Sequence, residues 1–288
     1  MSLQNNLPAK LYLHSDSNAP QGAKAANNFS TILKACLVTG FGDKPSAGWT
    51  LLFEDTAKNK KVFRSPALTE RSFDVRVVDN GTTATVQVCF DMTSIDDIRN
   101  LKLQCATTFK YNPVNPTGRW TLIATSRGFW FFNEINHTNG DPPINQSGTY
   151  IFCGDTSGDG TRRKALYLKH TGGVFADSND YRFHIFITDS TEGATPGKLY
   201  DYAANKVVNS DALANFDGTT DLTDVAAMSQ VYVLANRKIW RLPAFSPTKN
   251  NKVNYDKLTI DNIELINHGT ATALHVQNFY VPTNLWEL

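Results

Sequence analysis

Two hydrophobic periods divide the first hundred residues. Phe29, Ile32, Leu33, Cys36 and Leu37 fall at i, i+3, i+4, i+7 and i+8, the spacing that lines one face of an α-helix. Asn27 or Asn28 offers a capping side chain at its start, and Gly40 a left-handed residue past its end. Beyond Trp49 the period falls to two. Trp49, Leu51 and Phe53 alternate, "KVFRS" follows a polar turn, and Phe73, Val75 and Val77 alternate before Asn80-Gly81. Ala84, Val86, Val88 and Phe90 alternate after it, so a hairpin closed by a type I′ turn is expected. Ser94 with Asp97 has the pattern of a short helix start at "SIDDI".

"KYNPVNPTG" interrupts the pattern with Pro113 and Pro116, each excluding regular structure. It reads as a linker at 112–117 between an N-terminal α+β domain, 8–111, and a mainly β domain, 118–288. In the second part Trp120, Leu122 and Ala124 alternate, a turn falls at Ser126 to Gly128, and Phe129 and Phe131 alternate after it. Strands are expected at "TYIFCG", "KALYLKH", "YRFHIFIT", "SQVYVLA", "RKIWRL", "IELI" and "ALHVQNFYV", with a helical turn at "LTDVAAM". The fold class expected is α+β, mainly β, with antiparallel sheets, an N-terminal amphipathic helix and two domains.

Composition narrows the function classes. With 28 basic and 27 acidic residues the net charge is +1, so no global field favours nucleic acid, anionic membrane or acidic substrates. No apolar run approaches the roughly 20 residues of a membrane span, and "MSLQNNLPAKLYL" lacks a basic-then-apolar leader pattern. A protein made in the cytoplasm is expected. Cysteines 36, 89, 105 and 153 are scattered without C-x-x-C spacing, which argues against a zinc site or redox pair.

The glycine-rich stretch "ACLVTGFGDKPSAGWT" invites a phosphate-cradle reading. A cradle needs a strand entering and a helix leaving, so that free N–H groups point at the anion. Here the helix comes first and presents carbonyls, which repel anions. Pro45 also stands where G-x-G-x-x-G needs its last glycine. Neither nucleotide nor cofactor binding is expected.

Asp155 and Asp159 in "GDTSGDGTRR" lack the D-x-D-x-D-G alternation and later glutamate of a calcium loop, so no metal is expected. Ser157 is not in G-x-S-x-G, the six histidines are far apart, and no catalytic residue is assigned. The run "GFWFF" sends Phe129 and Phe131 to one face of a strand and Trp130 and Phe132 to the other. With the first pair in the core, Trp130 and Phe132 become the candidate interaction surface.

Four segments, "ILKACLVTGFGDKPSAGWTLLF", "GRWTLIATSRGFWFF", "GTYIFCGD" and "KIWRLPAF", resemble in order a group of phage and prophage virion proteins. Those proteins show "LVNGYG-K-AAGWT", "RPW-LV-D-R-FYLF", "Y-FGD" and "R-LPGLY". The resemblance covers roughly residues 8 to 247. It departs at Ala124-Thr125-Ser126, at Cys153 and at Ala244. It implies a non-catalytic structural component of a phage or prophage particle, in the tail or baseplate region, made in the bacterial cytoplasm and carried into the virion. Expected partners are other virion proteins and further copies of the chain as a homo-oligomer, with no nucleic acid and no membrane. The alternatives are a carbohydrate- or receptor-binding module holding a host glycan, and a cryptic hydrolase.

Overall fold

The computed structural model describes residues 6–22, 25–67, 71–108, 119–134, 148–158, 161–170, 183–188, 195–196, 198–201, 206–208, 228–235, 238–247, 257–260, 262–272 and 275–287. The expected linker at 112–117 and residues 222–227 of the expected helical turn at 222–228 lie outside these residues, and Met228, its last residue, opens a strand. Strands β1 (Asn6–Pro8) and β2 (Lys10–Leu13) precede helix α1 (Asn28–Lys34), which continues into a π-helical turn, Ala35–Thr39. Then come β3 (Thr50–Asp55), β4 (Lys60–Arg64), β5 (Asp74–Asp79), β6 (Thr83–Cys89) and β7 (Leu103–Thr108). They form an antiparallel sheet in sequence order.

Next follow β8 (Arg119–Thr125), β9 (Gly128–Glu134), β10 (Gly148–Gly158), β11 (Thr161–His170), β12 (Phe183–Thr188), β13 (Thr195–Pro196), β14 (Lys198–Asp201) and β15 (Lys206–Val208). The chain ends with β16 (Met228–Ala235), β17 (Lys238–Pro247), β18 (Lys257–Ile260), β19 (Ile263–Thr272), β20 (His275–Pro282) and β21 (Leu285–Glu287). A 14-stranded sheet holds most of these as two antiparallel runs, β2-β8-β9-β10-β11-β12-β13 and β15-β14-β16-β17-β20-β19-β18. The runs join where Ser157 of β10 pairs with Arg241 of β17. β1 and β21 form a separate antiparallel pair. Among the described residues the architecture is mainly β, antiparallel, with one short helix.

One buried cluster lies between the first run on one side and α1 with the five-stranded sheet on the other. It draws Tyr12, Phe29, Leu33, Trp49, Phe63, Phe73 and Val75 from before residue 112, and Trp120, Leu122, Phe129, Phe131 and Ile151 from after it. Phe29 meets Phe131 at 4.8 Å between ring centroids. Trp49 meets Phe73 edge-on at 5.4 Å. β2 pairs with β8, so the two sides of the expected linker share both a core and a sheet.

Three local expectations are corrected. Only Gly81 has positive φ at the hairpin, +85°, whereas a type I′ turn needs it at both central residues. The Asn80 side chain instead accepts from Thr82 and Thr83 N–H groups at 2.9 and 2.8 Å. The "SIDDI" segment is turns, not helix. Asp97 accepts from Thr93 Oγ1 at 2.7 Å and Arg99 Nε at 2.8 Å, and hydrogen bonding by Arg99, then Thr93, holds its carboxyl well below the usual range.

The third concerns the helix start. Asn27 is the N-cap residue but makes no side-chain cap bond. The carboxylate of Asp79 on β5 does so from another element, accepting from Ser30 N–H at 3.2 Å and Gly81 N–H at 3.0 Å. A negative charge there also meets the positive end of the helix dipole. Asp79→Ala is expected to lower stability by about 0.5–2 kcal/mol, the range for losing a cap. A denaturation midpoint equal to wild type would show that the cap contributes nothing.

Candidate functional site

The glycine-rich stretch is tied to β2 by its own polar groups. The π-helical turn closes with Gly40 N–H donating to Ala35 O at 2.7 Å, five residues back. Gly40 then takes φ +74°, and a Cβ there would strike Lys44 O at 2.5 Å, so both the conformation and the space call for glycine. Ala47 and Trp49 return N–H groups to Cys36 and Leu37 carbonyls, both at 2.9 Å, satisfying the end of the helix. Lys44 Nζ donates to Leu11 O at 3.2 Å and pairs with Asp16 at 3.4 Å. Tyr12 Oη donates to Pro45 O at 2.8 Å. The lysine that a phosphate cradle would use thus holds the loop to a strand.

Trp49 leads from this loop to the centre of the molecule. Its Nε1 donates to Thr125 O at 2.9 Å, at the end of β8. The next turn carries Arg127, whose side chain is fully buried, as is that of Asp155 on β10. Arg127 Nε donates to Asp155 Oδ2 at 2.8 Å. Its terminal nitrogens donate to Pro66 O at 2.7 Å and Arg71 O at 3.0 Å, on the connection between β4 and β5. The guanidinium lies 5.4 Å from the centre of the Phe73 ring. One side chain therefore joins both sheets through charge-assisted bonds and a cation–π contact.

Two glycines allow this approach. Gly128 pairs with Gly154 across β9 and β10, and a Cβ on Gly128 would sit 2.9 Å from Gly154 Cα. Side chains at either position would push the Arg127 turn off β10.

Trp130 and Phe132 are not a surface. Both are buried, at 0% and 1% exposure, so their assignment as an exposed interaction patch is corrected. The face opposite Phe129 and Phe131 is a second core, because the other run and the C-terminal strand lie over it. Trp130 stacks on Phe132 at 5.6 Å and meets Phe152 at 5.0 Å. Phe152 meets Trp286 at 6.1 Å. Trp130 Nε1 donates to Pro243 O of β17 at 3.1 Å, which satisfies its polar edge indoors.

A buried lysine lies beside the helix start. Lys61 Nζ donates to Ser30 Oγ at 3.0 Å and Asn27 Oδ1 at 3.2 Å, with Glu54 at 3.6 Å. Desolvation pulls its pKa down against the opposing pull of Glu54. Desolvation likewise raises Asp79, countered by the N–H groups it accepts. A serine beside a lysine has the composition of a nucleophile and its base. Ser30 is fully buried, however, and its hydroxyl donates to Asn27 O at 3.0 Å, which makes the pair a helix anchor. Burial pushes the Cys89 thiol up to about 12 and the Cys36 thiol well above its usual value, so neither is a nucleophile at neutral pH.

Among the described residues no three His, Cys, Asp or Glu side chains gather as a metal site, and no helix is long and apolar enough to cross a membrane. Arg127 escaped the sequence reading because one arginine in a turn looks solvated. The available signal was its position between two strands that are apolar on both faces. No family model, curated protein or solved structure matches the chain.

Proposed function

We propose that the chain is a non-catalytic structural component of a phage or prophage particle, in its tail or baseplate region. One observation carries the reading: the four segments of the resemblance, far apart in sequence, meet in space and use their polar groups on one another. Trp49 bonds to Thr125, Arg127 to Asp155, and Trp130 to Pro243. Segments that serve a ligand would aim some of these groups outward; a scaffold turns them in. Partners in this role are neighbouring virion proteins and further copies of the chain, arranged with the rotational symmetry of such assemblies.

The glycan-binding alternative leaned on Trp130 and Phe132 being exposed, and their burial removes that support. Among the described residues the hydrolase alternative has only the buried Ser30 and Lys61 behind it. Mass spectrometry of purified, nuclease-treated particles from the source bacterium is the test. The chain is expected among the stoichiometric particle proteins. Its absence from them, with abundance as a free host protein, would overturn the proposal.

A further inference from the structure

Strand β3 is the outer strand of the five-stranded sheet. From Thr50 to Asp55 it carries no proline and no lysine; of the devices that guard such an edge it has a bulge and one inward carboxylate, Glu54, and their placement decides what the edge can pair with. A bulge at Leu52 shifts the pairing from Leu51↔Phe63 to Phe53↔Val62. Leu51 consequently packs on the inner core, while Leu52 and Phe53 both pack, partly buried, on the outer cluster of Val62, Cys89 and Met92. Glu54 turns inward to Lys34 and Lys61. Thr50 and Asp55 lie opposite Arg64 and Lys60, which reach Asp74 and Asp96 on the outer side.

The facing of the six residues is thus outward, inward, outward, outward, inward, outward. It reads the same in both directions about the Leu52–Phe53 bond. A two-fold axis normal to the sheet keeps inner faces inner, so an edge with this order is complementary to itself.

We infer that two copies join β3 to β3 in antiparallel fashion, each Leu52 opposite the second copy's Phe53. In that register Thr50 opposes the second copy's Asp55, and Leu51 its Glu54. Four apolar side chains meet at the centre of the outer face, a hydroxyl–carboxylate pair flanks each end, and no like charges oppose. Slipping the register by one or two residues sets inward against outward side chains. The product is a continuous ten-stranded sheet, since each copy contributes five.

The inference rests on the homo-oligomer part of the proposed function, but it fails separately, because it is read on purified protein and not on particles. Light scattering behind size exclusion, from low micromolar to submillimolar protein, should show a reversible dimer that Phe53→Lys abolishes with unchanged circular dichroism. The double variant Thr50→Cys/Asp55→Cys should oxidise to a disulfide-linked dimer, and Thr50→Cys/Glu54→Cys should not. That cross-link decides alone if Phe53→Lys does not fold. A wild-type monomer throughout the series, or equal cross-linking of the two cysteine pairs, would overturn the inference.

Discussion

Arg127→Ala should lower the free energy of unfolding by about 3–5 kcal/mol, the range for breaking a buried ion pair from one side. Asp155 would keep a buried carboxylate with its cation gone, and the carbonyls of Pro66 and Arg71 would lose their charged donors. A loss of this size approaches the whole stability of many domains, so failure to express as folded protein is an expected form of the same result. The double variant Arg127→Met/Asp155→Leu separates the charge from the shape. It should recover much of the loss, because well-packed apolar residues often replace a buried pair at little cost. Urea denaturation of the single and double variants, read as a cycle, gives the coupling energy. Wild-type stability in Arg127→Ala would show that the two sheets are held without this pair.

Trp130→Ala is expected to cost about 3–5 kcal/mol, as for other large aromatic side chains deleted from cores. The variant would leave a cavity beside Phe132 and Phe152, and the Pro243 carbonyl without its indole donor. Near-ultraviolet circular dichroism should weaken together with the denaturation midpoint. A surface tryptophan would behave otherwise, with a change within about 0.5 kcal/mol, so the measurement separates a core residue from an interaction patch.

Trp130 also shows where sequence reasoning stopped. Alternation along "GFWFF" correctly separates the two faces of β9, since period two is a property of the strand itself. Which face meets water depends on what folds over it. The cover comes from β17 and β21, more than a hundred residues later, and no local pattern announces it. Most strands were legible for the same reason, being local alternations bounded by turn residues. β1, β2, β7, β13, β14, β15, β18 and β21 were not, because they are short or carry no clear alternation, and their partners hold them in place.

The helix start failed in a related way. Asn27 had the composition of a cap, but the carboxylate that does the capping, Asp79, sits at the end of the hairpin strand next in space. Arg127 could be read only as a turn residue and Asp155 only as a failed calcium-loop candidate, because nothing local reveals that their side chains meet.

The pairing of β2 with β8 bears on how the chain is made. His14 bonds to the Trp120 carbonyl from 106 residues away, and the inner face of the small sheet, covered in part by α1, is not closed until Phe129 and Phe131 exist. During synthesis the helix and five strands emerge first, with Phe29, Phe63 and Phe73 uncovered. At roughly 5–20 residues per second, translation leaves that face open for seconds. Pairings this distant in sequence also form slowly, because loop closure precedes any gain from contact. In that interval the nascent chain presents a chaperone with the same aromatic surface that the finished protein hides.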